Sequence, residues 1–112
     1  MKHRITLSFI FLGLILCTGG PARAETLSYK IKIRDNLFYP SELEIPAGTK
    51  VKLIIINQDA APEEFESYEL NREKVIMGNS SVIIFIGPLP AGTYPFFGEF
   101  NPLTAQGKIQ VK

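Results

Sequence analysis

Alternation with a period of two sets the first constraint on this chain: Tyr29, Ile31 and Ile33 are interleaved with Lys30, Lys32 and Arg34. Successive side chains of a β-strand point to opposite faces, so the pattern predicts a strand with one face buried and one wet. Leu43 and Ile45 resume it after a break at Pro40, and Ile109 and Val111 repeat it against Lys108, Gln110 and Lys112. Two stretches behave differently. Residues 50–57 begin by alternating and then run Leu53-Ile54-Ile55-Ile56, and Val82-Ile83-Ile84-Phe85-Ile86 is a second continuous apolar run. Both are rich in β-branched residues and too short for a helix, and a continuous run predicts a strand covered on both faces. Residues 94–97 complete the set.

The punctuation agrees. Pro46-Ala47-Gly48-Thr49 and Pro90-Ala91-Gly92-Thr93 are near-identical turn sequences, each just before a strand. Proline presets φ, and glycine takes the positive φ that such turns use. Short strands at regular spacing with turn signals argue for an all-β sandwich or barrel. No helix of useful length is demanded, although residues 60–74 have room for a turn or two.

The first 24 residues read as something else. Lys2, His3 and Arg4 form a basic head, residues 5–16 are almost wholly apolar, and Ala22-Arg23-Ala24 offers small residues where a signal peptidase cuts. This order is that of a cleavable secretory signal peptide, residues 1–24, followed by one domain, residues 25–112. A membrane anchor is the rival, but a spanning helix needs roughly 20 apolar residues, and Thr18-Gly19-Gly20-Pro21 interrupts the run. Lipid attachment at Cys17 is a second rival, weakened because Leu16 stands where lipoprotein signals carry a small residue. Export predicts a periplasmic location.

Removing the signal takes away the single histidine, His3, and the single cysteine, Cys17. Residues 25–112 then hold 9 Lys+Arg against 11 Asp+Glu, a formal charge of −2. That balance gives no electrostatic reason to expect nucleic acid or an anionic membrane as partner, and no stable membrane insertion is expected after cleavage. Disulfides cannot staple the domain, and triad-type hydrolysis through Ser–His or Cys–His is excluded. There is neither a phosphate-cradling glycine loop nor a zinc-type cluster. The expectation is a protein that is not an enzyme.

Acid is the remaining chemistry. Glu63, Glu64 and Glu66 lie within Pro62-Glu63-Glu64-Phe65-Glu66-Ser67, with Glu69 and Glu73 following. The plain reading is a solvated loop partly neutralised by Arg72 and Lys74. Glu99 is lone, inside Pro95-Phe96-Phe97-Gly98-Glu99-Phe100-Asn101-Pro102. A carboxylate buried among aromatics is costly unless paired or bound to a cation, and an exposed loop tip is the alternative.

Residues 38–51, from Phe38-Tyr39-Pro40-Ser41 to Thr49-Lys50-Val51, resemble the opening of a cupredoxin. Asn57-Gln58-Asp59 followed by Pro62, residues 94–97 and the closing Gly107-Lys108-Ile109 continue the likeness over essentially all of residues 25–112. More narrowly, Pro62 to Ser67 and Phe96-Phe97-Gly98-Glu99-Phe100 are similar to the cupredoxin-like domains of periplasmic ferrous-iron uptake systems, which stand alone beside an iron permease or fused to an EfeO-type iron-binding protein. The resemblance implies a cupredoxin-like Greek-key β-sandwich.

The resemblance also locates what is missing. A blue-copper centre uses two histidines, a cysteine and a weak axial ligand such as methionine. Matched position by position, the first histidine falls on Glu63, the cysteine on Gly98, the second histidine at about Asn101 and the methionine near Ala105 or Gln106. Met77 lies elsewhere in the chain and reads as core filler. Blue-copper electron transfer therefore does not carry over.

Because the family's fold brings these segments to one end of the sandwich, Glu63 and Glu99 are expected to converge on a hard-metal site, with Glu64, Glu66 and Asn101 in support. Hard oxygen donors there suit iron, manganese or calcium better than Cu(I), and the expected ion is iron or, failing that, copper. Period two places Phe65 with Glu63 and sets Glu66 opposite, which makes Glu64 and Glu66 peripheral ligands or plain surface; Glu73 reads as surface. The implied role is a periplasmic metal-handling accessory of iron uptake, its partner an iron permease or a periplasmic iron-binding protein. The alternative is a non-catalytic module docking through Phe96, Phe97, Phe100 and Pro102 with a vestigial metal site. A ferroxidase is the weakest of three readings, since one mononuclear site without a redox cofactor would have to serve it.

Overall fold

The computed structural model describes residues 26–112, and the expected signal peptide with its cleavage site lies outside them. Nine strands follow in order: β1 (Leu27–Arg34), β2 (Leu37–Tyr39), β3 (Glu42–Ile45), β4 (Val51–Asn57), β5 (Glu63–Ser67), β6 (Arg72–Ile76), β7 (Ser81–Ile86), β8 (Gly92–Gly98) and β9 (Gln106–Val111). They form a four-stranded sheet, β2-β1-β4-β7, and a five-stranded sheet, β3-β9-β8-β5-β6. Both sheets are mixed, since β1 pairs parallel with β4 and β3 parallel with β9. The expected all-β sandwich is the fold observed.

Alternation does what the sequence implied. Ile31 and Ile33 of β1, Val51, Leu53 and Ile55 of β4, and Ile84 and Ile86 of β7 face inward. They meet Ile45, Phe65, Ile76, Phe96, Ile109 and Val111 of the other sheet in one core. Each such side chain contributes about 1.5–3 kcal/mol when fully buried. Phe65 and Phe96 stack with centroids 5.0 Å apart, and Phe38 stands edge-on to both. Aromatic rings favour that edge-on geometry because the positive rim of one meets the negative face of another.

Expectations on the continuous runs, on residues 60–74 and on Met77 need correction, the last because Met77, read as core filler, is 61% exposed. The continuous runs are not covered on both faces: β4 alternates between buried and half-buried, and Ile83 and Phe85 of β7 remain 51% and 46% exposed. No layer lies outside the four-stranded sheet among the described residues. Residues 60–74 hold no helical turn but the start of a β5–β6 hairpin, joined by Tyr68–Asn71, with Asn71 at φ 52. Asparagine is among the few residues that accept that conformation. The short β2 was not foreseen. It follows a two-residue turn in which Asp35 and Asn36 both have positive φ, and the Asp59 carboxylate accepts both of their backbone N–H groups at 2.9 Å.

Asn57, at the end of β4, sets the entry into β5. Its buried side chain donates to the carbonyls of Ala61 and Ile76 and accepts the N–H of Asp59. This fixes residues 58–62 against the start of the hairpin, and the carboxylates are placed by it.

Candidate metal site

Adjacent positions on a strand face opposite ways, and β5 carries glutamates on both faces. Glu63, Phe65 and Ser67 point inward, while Glu64 and Glu66 point outward.

Glu63 is only 2% exposed. Its Oε1 accepts the backbone N–H of Glu64 at 2.8 Å and that of Phe100 at 2.9 Å, and its Oε2 accepts Asn101 Nδ2 at 2.8 Å. Three donors on one carboxylate compensate its burial and tie the β8–β9 loop to the hairpin. Gly98 lies directly beneath: a Cβ there would come within 2.7 Å of the Glu63 carboxylate and 2.8 Å of Ala105 Cβ. The positions that the resemblance matches to a copper ligand set hold the Glu63 carboxylate, the Gly98 backbone, the Asn101 amide and Ala105 or Gln106, with neither sulfur nor imidazole. These residues do not fit a blue-copper ion, and the carboxylate occupies the space between them.

The expected convergence of Glu63 and Glu99 is not what the fold produces. Glu99 N–H donates to the Glu64 carbonyl, and its side chain lines an outward-facing hollow with Glu64, Glu66, Glu73 and Tyr68. Asn101 is spent on Glu63. The two glutamates expected to be peripheral are instead central: Glu64, Glu66 and Glu73 bring carboxylate oxygens within 4.8 Å of one another. Glu73, expected to be plain surface, belongs to the cluster because the hairpin register sets it directly opposite Glu66. Like charges facing each other across two strands are destabilising.

The electrostatics follow. Glu64 is pushed up to about 7, first by its hydrogen bond to Glu73, then by burial and the charges of Glu73, Glu66 and Glu99. Glu66 is raised by burial and by the charges of Glu73 and Glu99. The cations expected to neutralise the run do not reach it. Arg72 donates to the carbonyls of Phe85, Leu70 and Asn71, and neither ion pair among the described residues includes a member of the cluster. What remains is a shallow hollow of oxygen donors with excess negative charge, chemistry that suits a hard cation.

The four residues expected to dock a partner separate. Phe96 is 1% exposed and stacked on Phe65, so it is core, as the close approach of Gly107 to its ring also requires. Phe97 is half-buried against Tyr68. Phe100 and Pro102 are exposed, together with Leu103 at 91%, which sequence reasoning passed over.

Comparison with known proteins agrees with this architecture. The chain is 41% identical to an uncharacterized protein of Rickettsia prowazekii (strain Madrid E), over 98% of its own length and 92% of the relative's. Among solved structures it is similar to the metal-binding domain of the Cu(I)-exporting P-type ATPase CopA of Streptococcus pneumoniae D39, with Cu(I), at TM-score 0.65 and 14% identity, covering 76% of this chain and 84% of that one. It is also similar to auracyanin A, a "blue" copper protein of Chloroflexus aurantiacus, at TM-score 0.65 and 18% identity, covering 78% and 99%. At such identities these structures share the fold alone. Residues 6–111 match the family described as cupredoxin-like domain, and the chain belongs to that family.

Proposed function

We propose that this domain is a metal-handling accessory of iron uptake, exported to the periplasm, which holds iron by carboxylates on the outer face of β5–β6. One observation carries the reading: Glu64, Glu66 and Glu73 gather oxygens within 4.8 Å, with Glu99 and Tyr68 on the same hollow and no ion pair to any of them among the described residues. Repulsion among these carboxylates is relieved by a proton or by a metal, and a hard ion such as ferrous iron matches the donors better than Cu(I). The kinship with a Cu(I)-binding domain supports metal handling by the fold. The iron assignment, and an iron permease or periplasmic iron-binding protein as partner, rest on the likeness of residues 62–67 and 96–100 to iron-uptake domains. The role is binding and delivery, not catalysis.

Calorimetric titration of residues 25–112 with Fe(II) under anaerobic conditions, and with Mn(II), tests this. One site is expected, weakened tenfold or more (about 1.4 kcal/mol) by Glu66→Gln or Glu73→Gln and unchanged by Glu69→Gln. Affinity should fall by about tenfold per pH unit below 7, because the metal must displace the Glu64 proton. No binding by the parent, or equal binding by all variants, would sink the reading. Cu(II) should give no intense blue colour in residues 25–112, which have no thiolate.

The exposed Phe100, Pro102 and Leu103 support a docking role at the same end of the sandwich. Leu103→Ser should weaken co-precipitation with an iron permease while leaving the metal titration unchanged.

A further inference from the structure

A formal charge of −2 conceals how the charges of residues 25–112 are distributed. The strands of the four-stranded sheet carry Lys30, Lys32, Arg34 and Lys52 and not one carboxylate; Lys50 adjoins β4. These are five of the nine Lys and Arg residues among the described residues. Neither ion pair among the described residues involves them, since both pairs, Lys108–Glu42 and Lys112–Glu44, lie on the other sheet.

Register turns these cations into rows on the outer face. Lys30 stands beside Ile54 and then Ile83, and Lys52 stands between Ser28 and Phe85. Lys32 stands between Tyr39 and Ile56. Lys50 Nζ lies 5.0 Å from the centre of the Phe85 ring. The face thus mixes a cationic row with an apolar row, Ile54, Ile56, Ile83 and Phe85, that no part of the described chain covers. At one end of the face Asp59 is held by the Asp35–Asn36 turn, and Asp35 borders a hollow with Lys32, Arg34, Tyr39 and Gln58.

We infer that this face is a docking surface for an anionic lipid bilayer. Five cations, none of them in an ion pair among the described residues, call for an anionic occupant. The cations are spread along β1 at two-residue steps, about 6.6 Å each, rather than converging on a point as they would for a small anion. The hollow that borders the face lies at its end, lined by Lys32, Arg34, Asp35, Tyr39 and Gln58, and not over the central strip where Ile54 pairs with Ile83. A planar surface of lipid phosphates matches diffuse charge, and its interfacial region accepts Ile83, Phe85 and Tyr39 beside snorkelling lysines. The carboxylate hollow is on the outer face of the opposite sheet, so adsorption in this pose keeps the acidic cluster away from the lipid charge.

Sedimentation with vesicles tests the inference, using residues 25–112, which contain all nine strands and the core of the described residues. Binding is expected to vesicles of phosphatidylcholine containing phosphatidylglycerol, and not to phosphatidylcholine alone, and it should weaken as salt screens the charges. Each lost cation should reduce partitioning roughly fivefold, so Lys30→Glu with Lys32→Glu should reduce it by about 25-fold or more. Phe85→Ser should reduce it less, and Glu66→Gln with Glu73→Gln should not weaken it. Far-UV circular dichroism establishes that each variant keeps its sheet. Failure to bind the anionic vesicles, or equal binding by the double lysine variant, would overturn the inference and leave the face to an acidic protein.

Discussion

Glu63 and Glu64 are neighbours in the chain, 2% and 8% exposed, and their circumstances are opposite. The inward carboxylate accepts three N–H donors. The outward one faces the carboxylates of Glu66, Glu73 and Glu99. Both solutions are physically sound, but they do different things. Glu63 is satisfied, so it has nothing left to offer a ligand and instead fastens a loop. Glu64 is held in a repulsive cluster on the solvent side, where a proton or a cation can reach it and relieve the repulsion. In this sandwich the inward carboxylate is closed off by its three donors, and the excess negative charge lies one residue along and on the other face.

The comparison breaks most sharply at Glu63. Glu63→Ala leaves the N–H of Phe100 and the amide of Asn101 without their acceptor, at roughly 1–3 kcal/mol for each orphaned buried donor. A loss of about 3 kcal/mol or more in urea unfolding is expected, with Glu63→Gln milder because one oxygen acceptor survives. A loss no larger than that of an ordinary surface substitution would show that the loop is held by something else. Gly98→Ala comes next, at about 1–3 kcal/mol for overpacking, because its Cβ would meet the Glu63 carboxylate at 2.7 Å. In the Glu63→Ala background that cost should shrink, leaving only the approach to Ala105.

The facing of these side chains was legible in the sequence but their roles were not, since Glu63 and Glu99 were expected to be the ligands with Glu64 and Glu66 peripheral, and the reversal has a physical cause. Period two already separated Glu63 and Phe65 from Glu66, and matching positions showed every copper ligand replaced. The hairpin was not visible because Glu and Lys are poor strand formers and the Tyr68–Asn71 turn contains neither Gly nor Pro. Without β6 there is no register, and without register nothing sets Glu73 opposite Glu66. Asn71 was the available signal: it is a residue that tolerates positive φ, placed between two short segments. Phe96 was misread for a related reason, since an aromatic pair such as Phe96-Phe97 on a strand sends one ring to each face. The uncovered outer side of β7 was hidden because a continuous apolar run is also the signature of a doubly covered strand.

A smaller effect tests the outward side of the comparison. A carboxyl whose folded-state value is raised binds its proton more tightly in the folded than in the unfolded state. Its contribution is neutral below the ordinary 4.5, and stability is lost as pH rises from there to about 7, with no further loss above. Stability by thermal or urea unfolding should therefore decline across that window. Glu73→Gln removes the main partner and should flatten the decline, making the variant more stable than the parent above pH 7. If the parent becomes more stable between pH 4.5 and 7, and Glu73→Gln does nothing to the slope, the cluster is not repulsive in solution.

Glu99 should give the smallest change, and it decides whether the cluster is centred on the hairpin or on the β8–β9 loop. Glu73 acts on Glu64 through a direct hydrogen bond and through its charge, whereas Glu99 acts through charge alone and is the weakest of the causes. Glu99 is exposed, so water screens most of its field. Carbon-detected NMR titration of the Glu64 carboxyl should therefore show a clear fall in its midpoint on Glu73→Gln and a slight one on Glu99→Gln. The same order should hold for metal affinity if an ion takes the proton's place. Equal shifts from the two substitutions would move the centre of the site toward Glu99, and the β8–β9 loop, which Glu63 fastens from within, would then be a ligand-bearing element and not only a tethered one.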